Sequence, residues 1–570
     1  MKKILLSLFF CTCTFVIYGF SPEVSKTSQA PSDISLPSPM DIPLFLSGNF
    51  GELRSNHFHS GIDMKTQGVT GIPVKSVKEG YVSRISISPY GYGNALYITH
   101  PDGSKTLYGH LNKFSKKIES VARDSQYIKE TFAINLTLSP GQIPVKQGEV
   151  IAQSGNTGGS GGPHLHFEIR DAETDEVYDP LPYYKDKIRD NVSPVIHGLM
   201  VFPQTGKGVV NGKTEKHAVS LSKDKSGKQI TAGSIKAWGD IGIGIKAYDR
   251  MTGTSNTYLP KEIILEVDGH EIFVQQMNQF EFSETRYINS LIDYDDWISR
   301  KSFYMKSFIE PGNKLRIYDN PYTGIITINE EKIYNCKYTL KDAYGNKTSL
   351  TFDIIGEKQN IPDRPLTGTL FKYNEDILFQ EENITLTIPS GNLYTDIDFT
   401  YKEISGQTAF SPLYQICKRI PLHSFCPLTL KITTDSYPDK SKYGVVNVAG
   451  SKRAWIGGEY TDNKISCKIR ELGNYTIDID TIPPKINPVN PAKWTQTGKI
   501  SFKVTDDLSG VNEFKGTLDD KFILFEYDAK TASIYCFFDA TRMKRGKQTL
   551  VFKAKDKCGN ESIFSKEIIF

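Results

Sequence analysis

The chain has 570 residues, with 68 Lys plus Arg against 65 Asp plus Glu, and 38% of its side chains are hydrophobic. That length exceeds what one hydrophobic core organises and predicts several domains. The charge is nearly balanced and no basic run is interleaved with aromatics, so nucleic-acid binding has no support; beyond residue 20 no stretch is apolar enough to span a membrane.

Met1-Lys-Lys3 followed by the apolar run Ile4 to Phe20 reads as a secretory signal peptide, residues 1–20. An uncleaved anchor is the rival, because the run is long for a signal and short for a spanning helix. Cys11 and Cys13 follow bulky residues, a poor fit to a lipid-modified cysteine. Export without a lipid, to the periplasm or cell envelope, is the expectation. Residues 21–40, with Ser, Pro and Thr prominent, predict a flexible lead-in.

Between residues 41 and 186 three short patterns stand out: His59-Ser-Gly-Ile-Asp63, Tyr108-Gly-His110-Leu111 and His164-Leu-His166-Phe-Glu168. Each is weak alone; together they supply three metal ligands and two spare imidazoles. Polar and apolar residues alternate through 163–170, the period of a half-buried strand. His164, His166 and Glu168 then share one face, and Leu165, Phe167 and Ile169 turn toward a core. The spacing of His59 and Asp63 returns to one face in a helix or in a strand, and Gly61 between them disfavours the helix. Two imidazoles and a carboxylate, with a fourth position left for water, make the pattern of a catalytic zinc rather than a structural one. No cysteine lies between residues 14 and 335, which excludes a thiolate site here.

Together with Gly48-Asn-Phe-Gly-Glu-Leu-Arg54, Gly80-Tyr-Val-Ser-Arg84, Gly91-Tyr-Gly-Asn94, Ser154-Gly-Asn-Thr-Gly158 and Gly162-Pro-His164, these motifs resemble the lysostaphin-type (LytM-like) zinc metallopeptidases over residues 47–182. The resemblance implies an antiparallel β-sheet domain, residues 41–186, that cuts peptide bonds in bacterial peptidoglycan. It also implies one Zn2+ held by His59, Asp63 and His166, with His110 and His164 as the catalytic pair. Zinc lowers the pKa of water and polarises the scissile carbonyl; one free histidine takes the proton, and the other steadies the oxyanion or protonates the leaving amine. The expected division puts His164 nearer the water and His110 nearer the oxyanion. None of the five positions departs from the family's pattern.

The neighbours have plainer readings. His57 is read as a surface or supporting residue, because the motif already uses His59, and His100 as a satisfied strand-end histidine. Two roles stay open for Tyr108, oxyanion donor or aromatic packing, and two for Glu168, orienting a ligand histidine or bonding backbone. Arg54 is read first as half of a buried structural pair and second as a binder of a substrate carboxylate. The glycine-rich run 155–163 lacks the Gly-Lys-Ser/Thr ending of a P-loop and leads into a strand, so it is read as a loop that lets a peptide approach closely. An insertion over residues 114–144, helix-like at 118–130, is expected beside the cleft or packed on the sheet edge.

Beyond Tyr184 short β-branched and aromatic runs alternate with Gly, Asn, Asp and Pro, the pattern of β-sandwiches. A repeat is visible. Asp190-Asn-Val-Ser-Pro-Val-Ile196 parallels Asp480-Thr-Ile-Pro-Pro-Lys-Ile486; the segment from Ile243 to Gly253 parallels Ile500 to Gly510; and Tyr338 to Asn346 parallels Phe552 to Asn560. The predicted fold class is therefore mainly β. A LytM-like sheet domain precedes an immunoglobulin-like module (187–356), a β-sandwich module (357–479) and a second immunoglobulin-like module (480–570). They are read as spacers or packing platforms, with glycan or envelope-protein binding as the alternative.

Of the cysteines beyond residue 20, Cys417 with Cys426 and Cys536 with Cys558 are the pairs with both members in one module; Cys336 and Cys467 complete the set, and all could stay free. Two functions are weighed: an exported zinc endopeptidase of the wall, or a non-catalytic envelope protein that recruits a wall amidase or assembly partner. The intact five-residue set favours the enzyme.

Overall fold

The computed structural model describes residues 35–569 apart from Lys228, Asn320, Pro365 and Gln407. The expected signal peptide and most of the expected lead-in lie outside the described residues. Residues 35–40 correct the flexible reading: Leu36 and Met40 are buried with Leu44 and Leu46, and the Leu36 backbone N–H donates to Tyr183 O (3.1 Å). Two apolar side chains set among serines and prolines anchor a segment whose composition reads as loop. No helix among the described residues is long and apolar enough to cross a membrane.

Strands β1 (Leu46–Gly48), β2 (Ile62–Lys65), β3 (Gly80–Ile87), β4 (Asn94–Thr99), β5 (Ser104–Leu111), β6 (Ile134–Thr137) and β7 (His164–Asp171) form an antiparallel sheet in the order β1-β2-β7-β5-β4-β3-β6. Its buried face is built by alternation: Ile62, Met64, Tyr108, Leu165 and Phe167 point into one core. The helix α1 (Lys116–Ile128) is the predicted insertion, and it adds Ile118 and Ala122 to that core.

The boundary drawn at residue 186 falls between strands, but both the sheet and the packing run across it. Val177 and Tyr178 pair on one side with β7 and on the other with Gln279 and Phe280 of the next module. The rings of Phe50 and Phe58 lie 5.2 and 5.5 Å from that of Phe280. The Asn49 side chain closes the seam, its Nδ2 donating to Leu259 O (2.8 Å) and its Oδ1 accepting from Leu259 N (3.1 Å).

The second module holds a nine-stranded sheet, in which Val195–Val210 runs beside Ile235–Tyr248, and a two-stranded one, Leu221–Lys223 with Gln229–Thr231; short helices at Ile288–Leu291 and Tyr294–Arg300 are not foreshadowed by the repeat pattern. The third is built on the long strands Leu413–Lys431 and Lys464–Ile479. The fourth packs two four-stranded sheets around Phe502, Phe525 and Phe552. This last module docks back onto α1. Arg123 pairs with Glu526 (3.1 Å), Arg542 with Asp124 (2.8 Å), and the ring of Tyr127 meets Phe522 at 5.5 Å. Lys530 donates to Asn156 O in the glycine-rich loop. All six described cysteines are free, so neither candidate pair forms; Cys426 and Cys536 are packed into separate apolar cores.

Candidate active site

Asp63 and His166 face each other across β2 and β7, and His59 comes from the turn before β2. A Cβ added at Gly61 would stand 2.2 Å from Phe167 O, so only glycine lets this turn lie against β7. The result brings Asp63 Oδ1, His59 Nε2 and His166 Nδ1 to within 2.9–3.0 Å of one another.

The far nitrogen of each imidazole is committed. His59 Nδ1–H donates to Asn49 O (2.7 Å), and His166 Nε2–H donates to Glu168 Oε1 (2.7 Å). Each near nitrogen therefore faces Asp63, and presents a lone pair there when its imidazole is neutral. Three acceptors this close repel one another unless a cation lies among them, and two imidazoles with one carboxylate suit zinc. The residues present fit the metal that the motifs imply.

Without a metal the cluster favours a proton in its place: burial pulls the His166 imidazole down, but the hydrogen bonds and charges of Asp63 and Glu168 prevail and push it up to about 9, so a metal ion would enter by displacing that proton. Burial works against the Asp63 carboxylate too, yet the imidazoles around it, His59 foremost, hold it well below the usual range. Glu168 is fully buried; burial raises its carboxyl, and Arg170, His166 and Ser60 outweigh this and bring it down to about 2. Ser60 Oγ donates to Glu168 Oε1 (2.6 Å) and Arg170 Nε donates to Oε2 (2.6 Å). Glu168 thus orients the His166 imidazole and does not bond to backbone.

His110 reaches the site by an irregularity. In the pairing of β4 with β5, Leu96 opposes Tyr108 and Asn94 opposes Leu111, so Gly109 and His110 together face Ala95. This bulge, with His110 at φ +58°, turns the imidazole away from the core. Its ring lies 4.7 Å from that of His164 and 5.8 Å from that of His166. Tyr108 consequently does not share its face. It packs against Phe167 (5.4 Å) and its hydroxyl accepts from Val77 N (3.0 Å), which makes it a core residue and not an oxyanion donor.

Both spare histidines are held by backbone carbonyls. His110 Nδ1–H donates to Thr157 O (2.8 Å) and His164 Nδ1–H donates to Gly162 O (2.8 Å), so each presents Nε2 as a lone pair. Burial, helped by the nearby His166 and His164, lowers His110 to about 3 and keeps it neutral. His164 Nε2 stands 3.4 Å from Asp63 Oδ1.

The remaining candidates fall outside this set. His57 is exposed and donates to Ser55 O (2.9 Å). His100 is buried at the end of β4, bonded to Glu79 O (2.7 Å) and Thr106 Oγ1 (2.8 Å). Arg54 is partly exposed rather than buried, and pairs with Asp63 Oδ2 (3.3 Å) and Glu52 (3.5 Å). Asn49, Ser60, Tyr92 and Arg170 were not singled out from sequence, although Arg170 occupies the next same-face position after His166 and Glu168. Tyr92 OH joins the network, 3.0 Å from Ser60 Oγ and 3.3 Å from Arg170.

Residues 57–141 and 131–180 match peptidase family M23, and residues 368–480 match a Zu5-like domain. Over 118 residues the chain is 35% identical to a DD-carboxypeptidase/endopeptidase Mpg of Neisseria meningitidis, covering 21% of each protein. It is 35% identical over 129 residues to the peptidoglycan DD-endopeptidase ShyB of Vibrio cholerae (22% of this chain, 24% of the relative) and 29% over 130 residues to lysostaphin of Staphylococcus simulans (22% and 21%). The chain thus spans about a fifth to a quarter of the length of these relatives. The solved catalytic domain of S. simulans lysostaphin is 26% identical, with 25% of this chain and 92% of that one covered, at a TM-score of 0.19. With its motifs, its sheet and its matched segment in agreement, this chain carries a peptidase family M23 domain at residues 57–180.

Proposed function

We propose that the chain is an exported zinc metalloendopeptidase that hydrolyses peptide bonds in bacterial peptidoglycan. One observation carries the reading: His59, Asp63 and His166 present three lone-pair donors to a single point, with two further imidazoles, His110 and His164, fixed beside it. Relatives named as a peptidoglycan DD-endopeptidase and a DD-carboxypeptidase/endopeptidase support the substrate class.

A zinc in this cluster supplies Lewis-acid polarisation of a carbonyl and acidification of water. The chain's own residues do the rest. Asn49 and Glu168 fix the tautomers of the ligand histidines. His164, its Nδ1 anchored on Gly162 O, accepts the proton of the attacking water at Nε2 and then gives it to the leaving amine. His110 steadies an oxyanion only with a proton on Nε2, which its burial beside two imidazoles opposes. Its role is instead that of a neutral acceptor that orients the water or the scissile N–H. Export rests on the apolar segment at residues 4–20.

Zymography on purified wall, with and without chelator, tests the proposal, and mass spectrometry of the released muropeptides names the bond. Clearing that chelator abolishes and zinc restores is expected. Clearing that persists in His166→Ala would refute it. A protein that binds wall but releases nothing would instead support the recruiting role.

A further inference from the structure

Two sets of three aspartates converge at matching places. Asp190, Asp249 and Asp342 meet in the second module, and Asp480, Asp506 and Asp556 meet in the fourth; in each set one carboxylate oxygen per residue lies within 4.8 Å of the others. These positions are the repeated segments themselves, since Asp190 aligns with Asp480, Asp249 with Asp506 and Asp342 with Asp556.

The two sets are also wired alike. Asn346 Nδ2 donates to Asp342 Oδ2 (2.7 Å) and Asp190 O (3.4 Å), and Asn560 Nδ2 donates to Asp556 Oδ2 (2.6 Å) and Asp480 O (3.0 Å). Asp342 Oδ1 accepts from Tyr344 N and Asn346 N, as Asp556 Oδ1 accepts from Cys558 N and Asn560 N. These bonds leave oxygens over. Asp249 is 2% exposed and its Oδ1 has no hydrogen-bond partner; Asp190 Oδ2 and Asp506 Oδ1 are likewise buried without one. Among the described residues none of the six carboxylates enters an ion pair. Burying three carboxylates together is costly without a cation, and an all-oxygen donor set selects a hard divalent ion over zinc.

The geometry points to one Ca2+ site in each set, two per chain, each clasping a module to the domain before it. The placement fits that role. Tyr344, in the turn that carries Asp342, packs on the M23 core and donates to Ile188 O (2.7 Å). In the fourth module Lys442 donates to Cys558 O (2.7 Å), while the Asp480 N–H donates to Lys442 O (2.9 Å). Each cluster therefore sits where its module meets the preceding one.

Calorimetric titration of the full-length, zinc-loaded protein with CaCl2, after exhaustive removal of calcium, tests this. Two ions per chain are expected, with dissociation constants of about 10⁻⁴ to 10⁻³ M, as in extracellular modules, and a thermal midpoint that rises with calcium. Asp249→Asn and Asp506→Asn should each remove one ion, and the double variant both. Because Asp→Asn relieves repulsion, the calcium-free variants should melt no lower than the calcium-free parent, which separates loss of a site from loss of folding. No binding by the parent at millimolar calcium, or an unchanged stoichiometry in the folded double variant, would overturn the proposal, as would tighter binding of Mg2+ than of Ca2+.

Discussion

Glu168 carries more of the site than any residue outside the five. It takes the far proton of His166, and Arg170 and Ser60 fix it in turn. Glu168→Gln should weaken zinc retention by about 10- to 100-fold, read by chelator competition. The same change gives a pH signature. A carboxyl brought from its ordinary 4.5 to about 2 contributes stability that is complete above the ordinary value and lost as pH falls toward 2. In the metal-free protein the melting difference between parent and Glu168→Gln should therefore be largest between about pH 5 and 6.5, shrinking below as Glu168 gains a proton and above, toward pH 9, as His166 loses one. His110→Ala should behave differently, lowering kcat by about 10² to 10⁴ while zinc stoichiometry stays at one. His164, His166 and Glu168 were legible because strict alternation puts them on one face. His110 was not reachable that way: alternation alone sends it after Tyr108 into the core, and only the bulge at Gly109 and His110 brings it out.

At the scale of elements, the glycine-rich loop and the turn after β3 hold each other. Asn94 N donates to Thr157 Oγ1 (2.9 Å), and a Cβ added at Gly93, where φ is +65°, would lie 2.4 Å from the Thr157 backbone. Thr157 O is the acceptor that sets the His110 tautomer. Gly93→Ala should therefore cost about 1–3 kcal/mol in thermal unfolding and depress turnover with zinc content unchanged, an outcome a simple ligand mutation would not give. The run of glycines marked a close backbone approach in the sequence. That the approach is to the turn carrying Gly93 needed the tertiary fold. The helix of the insertion was visible in its pattern, but its outer surface faces the last module through Arg123, Asp124 and Tyr127, polar and aromatic residues that read equally well as solvent-facing.

The whole molecule is more continuous than its repeats suggest. Periodicity announces β modules and the repeated Asp-containing segments announce their kinship, but nothing local tells that Phe50 and Phe58 share a core with Phe280. Replacing Arg123 and Arg542 together with Glu should detach the last module from α1, seen as a larger radius of gyration in small-angle scattering while the melting of the M23 core is unmoved. The seam at Asn49 has a wider meaning. Its backbone oxygen steers the His59 imidazole, and its amide is gripped from both sides by one residue of the neighbouring module. The M23 domain is thus no portable cassette: a fragment ending at residue 186, grafted elsewhere, would leave that amide without its clasp and bare the Phe50 and Phe58 rings.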